Sequence, residues 1–138
     1  MKSALGADNE ALIELTLMED EGRFQSITAM IDTGWNGELY LGHKLIQEMR
    51  LRPHRFQKTW IEQNPEPLAD LLGAQQLPVW QGQVAMKEDQ GKTVKVHQGL
   101  RGNSERARVG RAFLKRFGIL LILDIEGKDY QVLSRSED

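Results

Sequence analysis

Asp32, Thr33 and Gly34 place a carboxylic acid, a hydroxyl and a glycine in one run, directly behind the apolar stretch Ala29-Met30-Ile31. Burial disfavours the charged form of a carboxyl, whereas backbone N–H groups and hydroxyls at a tight turn hold and orient the carboxylate. An acid set between those influences is suited to taking and giving protons. Gly34 lets the chain turn close to that carboxyl and present an amide hydrogen, and Thr33 can send its hydroxyl to neighbouring main chain. Taken alone, the triplet reads first as an Asx turn, in which the acid merely closes a loop onto backbone two residues on.

Other chemistries find less support. The chain has no cysteine, which removes disulfides, thiol nucleophiles and thiolate metal sites. His43, His54 and His97 lack the clustered spacing of metal ligands, so neither metal nor cofactor is expected. Arg101, Arg106, Arg108, Arg111, Lys115 and Arg116 form a basic cluster, but Glu105 interrupts it and no aromatic residues interleave with it. The net charge is -2. A solvated helix face explains the cluster better than a nucleic-acid surface. Trp35, Trp60 and Trp80 read as packing residues. A phosphoryl-accepting aspartate would need an Asp-Lys-Thr-Gly or Asp-x-Asp setting with magnesium ligands, and the sequence contains neither.

The elements that must position Asp32 are mostly strands. With 138 residues and 40% apolar composition, a single domain over 1–138 is expected. Ile13, Leu15 and Leu17 alternate with polar residues before a turn at Glu19-Asp20-Glu21-Gly22, and Phe24 to Ile31 forms the return strand that delivers Asp32. A short strand at Leu39-Tyr40-Leu41 precedes a helix from His43 to Leu51, with Leu45, Ile46 and Met49 on one face. Arg55 to Ile61 reads as a strand broken by Gln63-Asn64-Pro65-Glu66-Pro67, and Leu68 to Gln76 as a mobile connection. Leu77 to Met86 and Lys92 to Gly99 are the arms of a long hairpin. A second helix carries Val109, Phe113, Leu114 and Phe117 on one face and stops at Gly118; strands Ile119 to Ile125 and Tyr130 to Leu133 follow. The pattern is all-β, a sandwich or barrel. No apolar run approaches the roughly 20 residues of a membrane span. The opening residues carry no signal-peptide core, so a soluble, cytoplasmic protein without membrane contact is expected.

Two segments carry a family resemblance. Ala29-Met30-Ile31-Asp32-Thr33-Gly34, followed by Trp35-Asn36-Gly37-Glu38-Leu39, resembles the active-site strand of retroviral-type, or retropepsin-like, aspartic proteases and especially of their bacterial branch. Val109-Gly110-Arg111-Ala112-Phe113-Leu114 resembles the hydrophobic-Gly-Arg motif that opens the family's last helix, with Ala112 where Asp or Asn is usual. The likeness covers about 11–133. It implies a closed, homodimeric acid-protease β-barrel with one or two short helices, and Asp32, Thr33 and Gly34 as the catalytic turn. It further implies a substrate-covering flap at Asp70, Leu71, Leu72 and Gly73, longer and more apolar than usual, and structural roles near the dimer contact for Gly110 and Arg111, the latter through an ion pair.

Aspartic proteolysis requires two facing carboxyls that share one proton. The chain has one such triplet, because Asp70 and Asp124 lack the pattern, so a second Asp32 must come from a second copy across a two-fold axis. Peptide or protein substrates are then expected, with activity fading as both carboxyls ionise. The alternative is a catalytically inactive dimer of the same fold that binds peptides or acts as a scaffold.

Overall fold

The computed structural model describes residues 2–4, 11–18, 24–48, 59–63, 76–86, 91–99, 106–124 and 129–134. The strands are β1 (Lys2–Ala4), β2 (Leu12–Met18), β3 (Phe24–Ile31), β4 (Leu39–Leu41), β5 (Thr59–Gln63), β6 (Gln76–Ala85), β7 (Lys92–Gln98), β8 (Arg108–Val109), β9 (Ile119–Asp124) and β10 (Asp129–Ser134). Two short helices, α1 (His43–Glu48) and α2 (Arg111–Arg116), lie between them.

Period-two patterning builds the barrel. Ile13, Leu15 and Leu17 of β2 and Ile27, Ala29 and Ile31 of β3 are buried, while their alternating neighbours are not. The two strands pair antiparallel from Leu12↔Met30 to Met18↔Phe24, which puts both apolar rows on one side. The β6–β7 hairpin, with Trp80 opposite Val96, closes the structure by pairing back onto β2 at Thr16↔Ala85, Leu17↔Val84 and Met18↔Gln83. The cyclic order β2-β3-β8-β4-β7-β6 is a closed six-stranded barrel, with β5 appended to β6. Its interior packs Leu17, Trp80, Val84, Val94, Val96 and Val109 against the β2–β3 rows. A separate three-stranded sheet, β1-β10-β9, joins the two ends of the chain. Among the described residues no helix is long and apolar enough to cross a membrane.

Four local expectations shift. Gln63 does not break its strand but pairs with Gln76, which in turn belongs to β6 and not to a connection. Val109 belongs to the two-residue β8 instead of a helix face: its ladder contacts to Ile31 and Leu39 outweigh the helical spacing that links it to Phe113. β1 has no sequence signal, since Lys-Ser-Ala carries no period and is ordered by pairing with β10. The first helix starts at His43 as expected, while its expected end at Leu51 and the start of the strand at Arg55 lie outside the described residues.

α2 buries Phe113 and ends on Phe117, whose rings stack with centroids 4.6 Å apart. Gly118 follows at φ 59°, the left-handed conformation that lets the chain leave the helix and enter β9. Lys115 and Arg116 sit in the last turn, where cations complement the helix dipole. Arg116 also pairs through Nε with Oε2 of Glu38, a buried carboxylate whose Oε1 accepts the Lys95 N–H at 2.8 Å. Glu38 thus ties β7 and α2 to the chain just before β4. Replacing it with Ala strands a backbone donor and frees α2, so Glu38→Ala is expected to destabilise the protein by about 1–3 kcal/mol in urea titration. Arg116→Ala should cost less, because water reaches the half-exposed arginine's place.

Candidate active site

β3 ends at Ile31, and the chain turns out of the barrel at Asp32. The backbone that fixes this turn comes from far along the sequence. β8 inserts between β3, which it pairs in parallel at Met30↔Arg108 and Ile31↔Val109, and β4, which it pairs antiparallel at Leu39↔Val109 and Tyr40↔Arg108. Met30 N–H donates to Ala107 O at 2.9 Å and Asp32 N–H to Val109 O at 2.9 Å. On the far side of the turn, Gly110 N–H donates to Glu38 O at 3.0 Å and Arg111 N–H to Trp35 O at 2.9 Å. The two sequence motifs are therefore one structure, zipped by main-chain bonds at both ends of the 32–38 loop.

Gly110 makes that approach feasible. A Cβ there would lie 2.4 Å from Gly37 O and 2.7 Å from Trp35 O, both backbone atoms that cannot swing away. Trp35 fills the inside of the loop: it is fully buried with Tyr40 and Leu77, and its ring meets His97 edge-on at 5.7 Å. The packing reading of Trp35 and the structural reading of His97 hold. Arg111 is exposed and donates to Asn36 Oδ1, so its partner is a neutral amide of the same loop and not an acid.

The Asp32 carboxylate is oriented at both oxygens. Oδ1 accepts the Gly34 N–H at 3.0 Å, an Asx turn, and Trp35 N–H bonds Asp32 O at 3.2 Å. Oδ2 accepts from Nη1 of Arg108 at 3.1 Å. The Asp32 side chain keeps 19% of its surface accessible and that of Arg108 only 7%. Thr33 and Gly34 are exposed at the tip of the turn, and the Thr33 hydroxyl has no partner among the described residues. Glycine is not demanded at 34 by the protomer itself, since a Cβ would meet only Asp32 Oδ1 at an ordinary 3.4 Å.

Arg108 corrects the reading of the basic cluster as a solvated helix face. It lies on a strand, where period two sends Ala107 and Val109 into the core and turns Arg108 to the same side as its register partner Met30 and as Asp32. Arg116 likewise departs from that reading through its pair with Glu38. Neither Arg108 nor Glu38 carried a local signal, since β8 is only two residues long and runs directly into α2. The expected flap at Asp70, Leu71, Leu72 and Gly73 lies outside the described residues. Among the described residues no cluster of histidine and acidic side chains is arranged to hold a metal ion.

The sequence matches no protein-family profile and no curated protein. Among solved structures, the chain is similar to the crystal structure of a retropepsin-like aspartic protease from Rickettsia conorii, with TM-score 0.62 and 18% identity over 96% of this chain and 88% of that one. The fold is retropepsin-like. Within this retropepsin-like fold, Asp32 stands at the end of a barrel strand, braced by the Gly110 segment. Gly110→Ala is expected to lower stability by about 1–3 kcal/mol or more, because the overlap is with backbone. Urea unfolding followed by tryptophan fluorescence, which reports on Trp35, would measure the loss.

Proposed function

We propose that the protein is an aspartic endopeptidase that works as a homodimer, with Asp32 of each of two copies forming the catalytic dyad. The observation that carries this reading is the Asp32 turn: a partly accessible carboxylate, oriented at both oxygens, at the end of a strand in a retropepsin-like barrel. One copy offers one such acid, and its neighbours on the turn, Thr33 and Gly34, are exposed and available to a second copy.

In the dimer, one Asp32 acts as base and takes a proton from a water held between the two carboxyls, while the other, protonated, donates to the carbonyl oxygen as the water attacks. Like charges brought that close repel. Arg108 beside each Asp32 lowers that repulsion by adding one positive charge per carboxylate, so two copies can approach at this face. No metal or cofactor enters the mechanism.

The same contact favours a second reading. A carboxylate already neutralised by an arginine has no need of a shared proton, which suits a dimer that binds peptides without cleaving them. The Asp32→Asn variant separates the two. Its side chain is nearly isosteric and still accepts the Gly34 N–H, so fold and dimer should persist while cleavage of a peptide library falls by at least about 10²- to 10⁴-fold. Wild-type protein that dimerises and binds peptides but releases no fragments would establish the non-catalytic reading.

Self-association has its own check. Sedimentation at micromolar concentration is expected to give a dimer, and specific activity should drop on dilution as the dyad comes apart. A monomer that retains full specific activity would exclude the single-motif mechanism.

A further inference from the structure

We infer that Arg108 is a positioning residue of the cleavage reaction: through Nη1 it sets the plane of the Asp32 carboxylate, so that each acid of the dyad meets the attacking water in a fixed orientation. This rests on the endopeptidase reading. The step it serves bonds the water oxygen to the peptide carbonyl carbon, while one water proton passes to the ionised Asp32 and the protonated Asp32 gives its own to the carbonyl oxygen, leaving a neutral diol.

The last torsion of an aspartate joins an sp³ to an sp² carbon and is soft, so a single contact does not fix the plane of its carboxylate. Gly34 N–H holds Oδ1 at 3.0 Å, and Arg108 Nη1 holds Oδ2 at 3.1 Å. Two donors on different oxygens define the plane. Each oxygen of an ionised carboxylate offers about two acceptor sites, so these bonds leave a site on each for the water.

The Gly34 donor belongs to the same turn as Asp32 and moves with it. Arg108 does not. It stands on β8, whose main chain is paired on both sides, and the same strand accepts the Asp32 N–H at Val109 O at 2.9 Å. One element therefore holds both the backbone and the carboxylate of Asp32. The guanidinium is buried and planar, so its donors keep a fixed direction, and its permanent charge keeps Oδ2 an acceptor.

Stability alone is a weak reason for an arginine here. Among the described residues its guanidinium has one partner, Asp32, and its Nε is shielded from water without an acceptor. A buried donor left unpaired is unfavourable. Asp32 keeps 19% of its side chain accessible, so water can solvate the carboxylate if the arginine is removed. The other charged groups around the turn are engaged elsewhere: Arg111 donates to Asn36, and Glu38 pairs with Arg116 and accepts the Lys95 N–H. A costly buried group whose one contact is the reacting acid is what a functional site, more than a stabilising one, leaves in a core.

The test compares wild type with Arg108→Met, which keeps an unbranched apolar stem, and with Arg108→Lys, which keeps a charged donor; Arg108→Leu replaces the Met variant if that one does not fold. For a peptide that the wild type cleaves, kcat and KM are measured at concentrations where sedimentation shows the dimer, and the Gly34 amide is followed by ¹H–¹⁵N NMR as a reporter of Asp32 Oδ1. The apolar variant should lower kcat by about 10- to 100-fold, the cost of a misplaced reacting group, with KM nearly unchanged. Its Gly34 amide signal should shift or broaden as the carboxylate turns, and Arg108→Lys should recover part of kcat. Loss of stability in urea with kcat of the folded dimer intact would overturn the inference and leave proteolysis standing. A wild-type dimer that cleaves no peptide would refute proteolysis and the inference with it.

Discussion

The structure depends on one insertion. The two residues of β8 fit between β3 and β4 and bond to both, so the loop that carries Asp32 is held at its start by Val109 and at its end by Gly110 and Arg111. Without that strand the barrel would stop at β3 on one side and β4 on the other, and Asp32 would sit on an open edge. With it, the carboxylate is fixed by main chain in a ring of strands closed by β2 and β6. The turn is held rigidly because both of its flanks belong to the sheet.

The insertion imposes conditions on its neighbours. Main chain of the Gly110 segment must run against main chain of the 35–37 loop, which leaves no room for a Cβ at 110 and only glycine at 37 beneath the indole of Trp35. Glu38, which follows that loop, is buried against Lys95 and Arg116, so the loop is also clamped from β7 and α2. The helix after β8 is thereby a structural arm of the Asp32 turn, with Phe113 and Phe117 anchoring it in the core and Lys92 bridging to its last carbonyl at 3.1 Å.

Arg108 gives this site a character of its own. A guanidinium on Oδ2 sets the direction of the carboxylate and balances its charge inside a single chain.

Every barrel strand except β8, and the acid at the end of β3, was legible in the sequence. Alternation in Ile13-Leu15-Leu17 is local information, since one strand face is buried whatever its partner is. Asp32-Thr33-Gly34 and Gly110-Arg111 were legible as two motifs for the same reason, each being a short run with its own backbone demand. What joined them was decided by tertiary structure alone. β8 is too short to show a period, and Val109 has helical spacing to Phe113, so only its contacts with Ile31 and Leu39 make it a strand. The roles of Arg108 and Glu38 followed from that placement, because a charged side chain reads as solvated until the element beneath it fixes which way it points. Their partners, Asp32 and Arg116, lie more than seventy positions away in the chain, beyond the reach of any local pattern.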